Sequence, residues 1–324
     1  MKTVVVANPA AAAGRVGRAW GRWQRAIQST LGDHEVEFTA KPGDATLIVR
    51  RAVAAGAERI AIVGGDGSIN EAVNGLVGED GERIAGHVVL TVVPVGTGGD
   101  FARSIGMSDV SLETALGEAS ERKIDLGRAE LTGHDGRPLV RHFINISSFG
   151  SSGLIVDMVN KTSKRFGAKA SFLWGTVKGL AKYENQRVHL VVDDVFDREI
   201  VVNTVAVANG RYFGGSMKIA PSALLDDGRF DVVIIGDVGL GRFLMTSGKL
   251  YRGEHLGEPG IERVVGREVT ATPVGGAEVL IDLDGEQPGK LPVRYRVLPK
   301  AVTLLAPWTR AEAASRDRAA VRAG

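Results

Sequence analysis

Five consecutive residues, Gly64-Gly65-Asp66-Gly67-Ser68, join an apolar run at 59–63 to a segment with helical character from Ile69 onward. A strand that ends in glycines and feeds a helix has a physical use. Glycine tolerates positive φ and, lacking a Cβ, lets phosphate oxygens approach the backbone. Successive amide N–H groups then form an anion-binding concavity, and the helix adds the positive end of its dipole. Asp66 cannot favour a bare phosphate, because both are negative. Its presence makes sense with Mg²⁺ between them, or with a hydroxyl nucleophile to orient. Ser68 can donate to a phosphate or cap the helix. The same residues also fit a tight turn in which Asp66 or Ser68 is merely the N-cap, and alone they leave both readings open. Neither G-x-x-x-x-G-K-[ST] nor a G-x-G-x-x-G after a strand occurs, so phosphate binding here would follow another pattern.

A second turn runs Pro94-Val95-Gly96-Thr97-Gly98-Gly99-Asp100-Phe101-Ala102-Arg103 after the apolar run 88–93. In a parallel sheet, ligands collect at the carboxyl ends of the strands. Two glycine-rich turns can therefore face one crevice, with Thr97 offering a hydroxyl and Asp100 and Arg103 offering charge. Two acidic turns stand further on, Asp226-Asp227-Gly228 and Asp284-Gly285-Glu286. Each alone is an ordinary turn or hairpin signal.

The elements that must position these groups change character along the chain. Residues 4–7, 35–39, 59–63 and 88–93 read as strands, and 19–31, 45–55 and 69–76 as helices. That alternation predicts an α/β domain with a parallel, Rossmann-like sheet over about 1–125. From there, strand-like runs dominate at 139–146, 188–192, 200–208, 230–235, 269–272 and 279–282. They predict an antiparallel β-sandwich over 126–297, interrupted by helical stretches at 172–183 and 240–251. Residues 311–324 read as a polar tail.

Composition narrows the function classes. The 324 residues are 44% hydrophobic and 24% charged, an ordinary globular balance able to bury a core. A formal charge of +2 lacks the basic excess of a duplex binder, so no nucleic-acid partner is expected. With no cysteine, disulfides and thiolate zinc sites are excluded, and the six histidines show no H-E-x-x-H spacing. No apolar run approaches the ~20 residues of a membrane span. The first residues read as a strand rather than a secretory leader, which predicts a cytoplasmic protein.

Taken in order, the motifs resemble the diacylglycerol kinase catalytic-domain family, bacterial lipid kinases related to sphingosine and ceramide kinases. The resemblance rests on Asn8-Pro9, Gly64 to Ser68 with Ile69-Asn70-Glu71, the Pro94 to Arg103 turn and Asp125-Leu126-Gly127. It continues through Asn145 with Gly150, the run Asn209 to Gly215, Met217 to Pro221 with Leu225 to Gly228, and Leu283 to Glu286. Each motif is weak alone; the ordered set is specific. The family's fold pairs a nucleotide-binding α/β domain of the NAD-kinase/diacylglycerol-kinase type with a C-terminal β-sandwich, and about 298–310 would return to the first domain.

The resemblance also implies roles. Thr39, Gly64, Gly65, Asp66, Gly67, Ser68, Ile69, Asn70 and Thr97 match nucleotide-contacting positions. Asp284 matches the proton acceptor, with Glu286 beside it and Asp66 organising metal and phosphate. Asp227, with the carbonyls of Leu224 and Arg229, matches a structural Mg²⁺ site. ATP and Mg²⁺ are the implied cofactors, and a lipid at a membrane surface the implied partner. Ser68 replaces the family's usual threonine and keeps the hydroxyl. Gly99 replaces the usual asparagine and loses an amide. The acceptor could be diacylglycerol, another lipid alcohol or, on the rival reading of an NAD-kinase type, a soluble substrate. A non-catalytic nucleotide or lipid binder is the third reading.

Residues 161–187 carry seven Lys and Arg against one Glu, with Phe166, Phe172, Leu173 and Trp174 among them. Such a segment suits an anionic inner membrane face, or a helix packed on the sandwich with its lysines in water. Base rates alone allow a homodimer.

Overall fold

A computed structural model describes residues 1–82, 84, 87–95, 99–108, 111–152, 184–239 and 248–308. The first strands are β1 (Thr3–Ala7), β2 (Glu35–Phe38), β3 (Arg59–Gly64) and β4 (Val89–Pro94). They pair in parallel in the order β4-β3-β1-β2. Every residue of β1 is buried, as expected for a parallel strand covered by helices on both faces. On one face, α3 (Asp44–Ala54) and α4 (Asp66–Leu76) bring Ile48, Val49, Ile69 and Val73 against Val4, Val6, Ile60 and Ile62. On the other, α1 (Ala11–Arg18) and α2 (Trp20–Leu31) bring Val16 and Ile27 against Val5, Ala7, Ala61 and Val63.

Two short helices, α5 (Asp100–Ser104) and α6 (Leu112–Gly117), precede a long run of strands. These are β5 (Ser120–Gly133), β6 (Pro138–Phe143), β7 (Ile146–Gly150), β8 (Gln186–Val192), β9 (Phe196–Val202) and β10 (Thr204–Ala208). The last five are β11 (Phe230–Ile235), β12 (Ile261–Gly266), β13 (Glu268–Pro273), β14 (Leu280–Leu283) and β15 (Glu286–Ala306). They pair antiparallel, apart from Thr303 to Leu305 of β15, which lie parallel to β4. A separate core built on Phe143, Phe149, Phe230 and Tyr295 fills this half. The expected fold class, a parallel α/β sheet plus an antiparallel sandwich, is what the chain adopts.

Several boundaries differ from the sequence reading. Helix α4 begins at Asp66 rather than Ile69, so the glycine turn supplies its first turn. The run 139–146 is two strands, broken at Ile144 and Asn145 because their N–H groups turn to the Asp284 carboxylate instead of a ladder. The run 200–208 breaks at Asn203, whose N–H goes to Ile235 and Gly236 carbonyls. Strands β5 and β15 were unread, and Asp125 falls inside β5, so the change of pattern there is not a break between elements. Of the two helical stretches expected in the second half, 172–183 lies outside the described residues. Of the other, 240–251, only 248–251 is described, as helix. Most of the basic segment, 161–183, lies outside as well. No helix among the described residues is long and apolar enough to cross a membrane.

Candidate active site

The carboxyl ends of β1, β2 and β3 lie side by side. Thr39 follows β2, half-buried, and its N–H donates to the Ala7 carbonyl at 3.0 Å. Asn8 follows β1, and its N–H donates to the Val63 carbonyl at 3.0 Å. Its side-chain amide donates to the Ser68 Oγ at 3.1 Å. The Asn8 turn is thereby tied to the glycine turn after β3, and the Ser68 hydroxyl is already engaged.

The glycine turn does not work through left-handed backbone, as the sequence suggested. Gly64, Gly65 and Gly67 are absent from the positive-φ positions, and Gly65 is extended at φ −95. What matters is the missing Cβ. A Cβ on Gly64 would lie 2.5 Å from the Cβ and Oγ of Ser68, so only glycine lets the helix fold back over the strand end. A Cβ on Gly65 would meet open space. Gly65 is the N-cap of α4 and no side chain caps the helix. The N–H groups of Gly65, Asp66, Gly67 and Ser68 thus begin a helix with no intrahelical partners. The self-capping reading, with Asp66 or Ser68 as N-cap, does not hold.

Asp66 spends its carboxylate elsewhere. Its oxygens accept from the N–H groups of Asp100 at 3.0 Å and Phe101 at 3.2 Å, which start α5. Burial, with the Asp100 charge adding, pushes the Asp66 carboxyl up to about 7. Asp100 accepts from Gly215 and Ser216 N–H at 3.0 and 2.7 Å, and burial raises its carboxyl too. Asp66 therefore joins the glycine turn to α5, and Asp100 joins α5 to the 213–217 hairpin of the second half. Each Asp66 oxygen accepts one of these bonds, which leaves about two of the carboxylate's lone-pair sites open. Two other expected nucleotide contacts turn inward. The Ile69 side chain is 1% exposed in the core, and the Asn70 amide donates to the His142 carbonyl and to Asp284, each at 2.9 Å. Thr97 lies outside the described residues.

The second contribution comes from the β14–β15 hairpin. Asp284 and Gly285 have φ of 49° and 88°, and Leu283 pairs with Glu286, so Asp-Gly forms a two-residue loop of the primed type. The Asp284 carboxylate accepts four hydrogen bonds. Oδ2 takes the Asn70 amide and the Ile144 N–H, both at 2.9 Å. Oδ1 takes the N–H groups of Asn145 at 3.1 Å and Ile146 at 2.9 Å. A carboxylate presents about four lone-pair sites. Burial raises its affinity for a proton, but a proton could enter only by displacing one of these donors. Glu286 is different. It keeps solvent access, and its Oε1 stands 3.6 Å from where a Cβ on Gly67 would sit. Burial pushes its carboxyl above the usual range, Glu71 adds to the push and Arg141 opposes it.

Asp227 sits away from this cluster in the turn before β11. Its Oδ1 accepts the Arg229 N–H at 3.1 Å, and burial, with Asp231 and Asp125, raises its carboxyl. Asp125 lies alongside, fully buried, accepting from Gly228 and Lys300 N–H at 2.6 and 2.7 Å. An acid repelled by two others favours a cation, and a carboxylate with two carbonyls is a hard-oxygen donor set. No group of three ligating side chains occurs among the described residues, so water would complete such a site. Sequence reasoning passed over Asn8 as a ligand to Ser68, and Arg141 altogether. An exposed arginine beside His142 reads as a solvated charge, and the hydrogen bonds that set β6 against α4 at His142 have no local sequence signal.

An open helix N-terminus at the carboxyl edge of a parallel sheet, faced by an acidic hairpin from a β-sandwich, defines a nucleotide-type α/β enzyme fold. The diacylglycerol kinase catalytic domain matches residues 2–129, and the YegS C-terminal NAD kinase beta sandwich-like domain matches 145–306. Diacylglycerol kinase of Bacillus subtilis (strain 168) is 31% identical over 281 residues, 85% of this chain and 86% of that one. Diacylglycerol kinase of Staphylococcus carnosus (strain TM300) is 28% identical over 277 residues, 83% of each chain. A crystal structure of a diacylglycerol kinase from Bacillus anthracis str. Sterne has a TM-score of 0.68 at 23% identity, covering 94% of this chain and 96% of that one. The chain belongs to the diacylglycerol kinase catalytic-domain family.

Proposed function

We propose that the protein is an ATP-dependent lipid kinase that transfers the γ-phosphoryl group to a lipid hydroxyl, with diacylglycerol or a close relative as acceptor. The observation that carries this reading is the placement of Glu286. It is an acid with no hydrogen-bond partner among the described residues, held against Gly67 at the uncapped N-terminus of α4. The α4 N–H groups and Gly65 would receive the nucleotide phosphates, with Thr39 and the Asn8 turn flanking them. Glu286 would take the acceptor hydroxyl's proton. A raised glutamate is suited to that task, since a base works best with a pKa near the working pH. Asp284, already saturated, would hold α4, the 144–146 bend and the hairpin in register.

Mg²⁺ would neutralise phosphate charge during transfer, and the Asp227 turn would hold a second, structural ion with the carbonyls of Leu224 and Arg229. The lipid would be met at a membrane surface, at the inner face if the protein is cytoplasmic. The deciding experiment offers [γ-³²P]ATP with diacylglycerol, other lipid alcohols and NAD in parallel. Labelled lipid with unlabelled NAD is the expected outcome. Label on NAD alone would replace the reading with that of a soluble-substrate kinase, and no label on any acceptor would leave a non-catalytic binder.

A further inference from the structure

Arg141 occupies an unusual place for a surface arginine. It precedes His142 in β6, and β6 is bolted to α4 at that residue. The His142 carbonyl accepts the Asn70 and Asn74 amides at 2.9 and 3.0 Å, and its N–H donates to the Asn74 Oδ1 at 3.0 Å. One turn earlier on α4, Gly67 meets Glu286, while Glu71 spends one oxygen on the Ala45 N–H at 3.0 Å. Arg141 is close enough for its charge to act on both Glu286 and His142.

Yet the Arg141 side chain is exposed and makes no hydrogen bond or ion pair with any described residue. Several other arginines of these strands are paired. Arg128 pairs with Glu130, Arg263 with Asp231 and Arg294 with Glu268. A cation held near the Glu286 carboxylate and bonded to no described residue keeps its guanidinium donors for an incoming anion. The guanidinium fork matches two oxygens of a phosphoryl group. The only anion that must pass this point on the proposed reaction path is the one moving from the α4 N-terminus towards Glu286.

We propose that Arg141 contacts the phosphoryl group in flight between nucleotide and acceptor and stabilises the charge on its equatorial oxygens. This rests on the kinase reading above. In that step the bond from the γ-phosphorus to its bridging oxygen breaks and ADP leaves. A bond from phosphorus to the acceptor oxygen forms, and the hydroxyl proton passes to the Glu286 carboxylate. Arg141 exchanges no proton and no electrons.

The test uses the full chain and its Arg141→Ala and Arg141→Lys variants. It measures kcat, KM for ATP and KM for diacylglycerol in mixed micelles, ATP affinity by calorimetry, and thermal unfolding. Removing a donor aimed at transition-state charge lowers kcat by about 10²- to 10³-fold. The expected result is that loss in Arg141→Ala with ATP affinity and unfolding temperature unchanged. A few millimolar guanidinium should restore part of the rate, and Arg141→Lys should lie between the two. Wild-type kcat in Arg141→Ala would overturn the proposal. So would a loss confined to ATP affinity, which marks a nucleotide contact, or to the KM for diacylglycerol, which marks a head-group contact. If the wild type labels no lipid, the kinase reading itself falls. If the wild type labels lipid and Arg141→Ala matches it, only the role of Arg141 falls.

Discussion

The glycine turn after β3 and the Asp-Gly hairpin before β15 come from opposite halves of the chain and are built on one plan. Each carries an acid that sequence motifs would nominate for chemistry, and each spends that acid on architecture. Asp66 starts α5 through two N–H groups, and Asp284 gathers four donors from α4 and the 144–146 bend. In each region the neighbour does the outward-facing work. In the turn it is the bare backbone of Gly65 and Gly67, and in the hairpin it is Glu286. Buried acids demand partners, so a motif acid that finds several has become structural. The acid left without partners is the one available to a substrate.

The sharpest way to break that comparison is to remove the two hairpin acids separately. Glu286→Gln should lower kcat by about 10²- to 10⁴-fold, the usual worth of a general base. Its unfolding midpoint in urea should stay within about 0.5 kcal/mol of wild type, as for other accessible positions. Asp284→Asn should do the reverse. The new amide would point its own hydrogens at two of the four donors, leaving buried N–H groups unpaired. A stability loss of about 3 kcal/mol or more is expected, read from the same urea midpoints. Equal stability of Asp284→Asn and wild type, with activity abolished, would return the proton-accepting role to Asp284.

A smaller effect separates two glycines within the first region. Gly64→Ala forces a Cβ to within 2.5 Å of Ser68 atoms, and overpacking of that kind costs about 1–3 kcal/mol. Gly67→Ala meets only the Glu286 Oε1 at 3.6 Å, an ordinary contact. It should melt with the wild type yet lose phosphotransfer, because the methyl stands between the helix N-terminus and the acid. If Gly67→Ala destabilises as much as Gly64→Ala, the space over Gly67 is packing rather than site.

These contrasts mark where the sequence is informative. The parallel half was legible because β1, β3 and β4 are short apolar runs between helical periods. Strand β15 was hidden by Pro288, Pro292 and Pro299, which argue against a strand when read locally. Strand β5 was hidden by its many charges, and its few apolar residues serve two cores, Ile124 and Leu126 the first and Ala129 and Leu131 the second. Motif order singled out two segments that the fold brings together, Gly64 to Ser68 and Asp284 to Glu286. It could not say which residue of each faces outward. The distinction between Asp284 and Glu286 depends on donors from Asn70, Ile144, Asn145 and Ile146, all about 140 residues or more away in the chain.

The smallest effect is a matter of pH, and it tests whether buried acids in the two halves respond alike. Burial pushes both Asp66 and Asp282 up to about 7, with Asp100 adding at the first and Asp284 at the second. In the unfolded chain both titrate near the ordinary aspartate value of about 3.9. Between these values the unfolded state has released its proton while the folded state keeps it. Folding stability therefore falls as pH rises from about 4 to about 7, then levels off, with a slope of at most about 1.4 kcal/mol per pH unit for each group. Asp282 accepts from the Gly285 N–H at 2.9 Å and from the Ser148 hydroxyl at 3.2 Å. An asparagine can keep the first and donate to the second, imitating the protonated acid. Asp282→Asn should thus gain on the wild type steadily across that interval in urea melts. Asp66→Asn should gain less, because its amide must oppose one of the two N–H groups that start α5. Parallel curves for Asp282→Asn and wild type from pH 4 to 7 would mean that Asp282 is already ionised in the folded protein. The hairpin would then carry two buried charges where the glycine turn carries none.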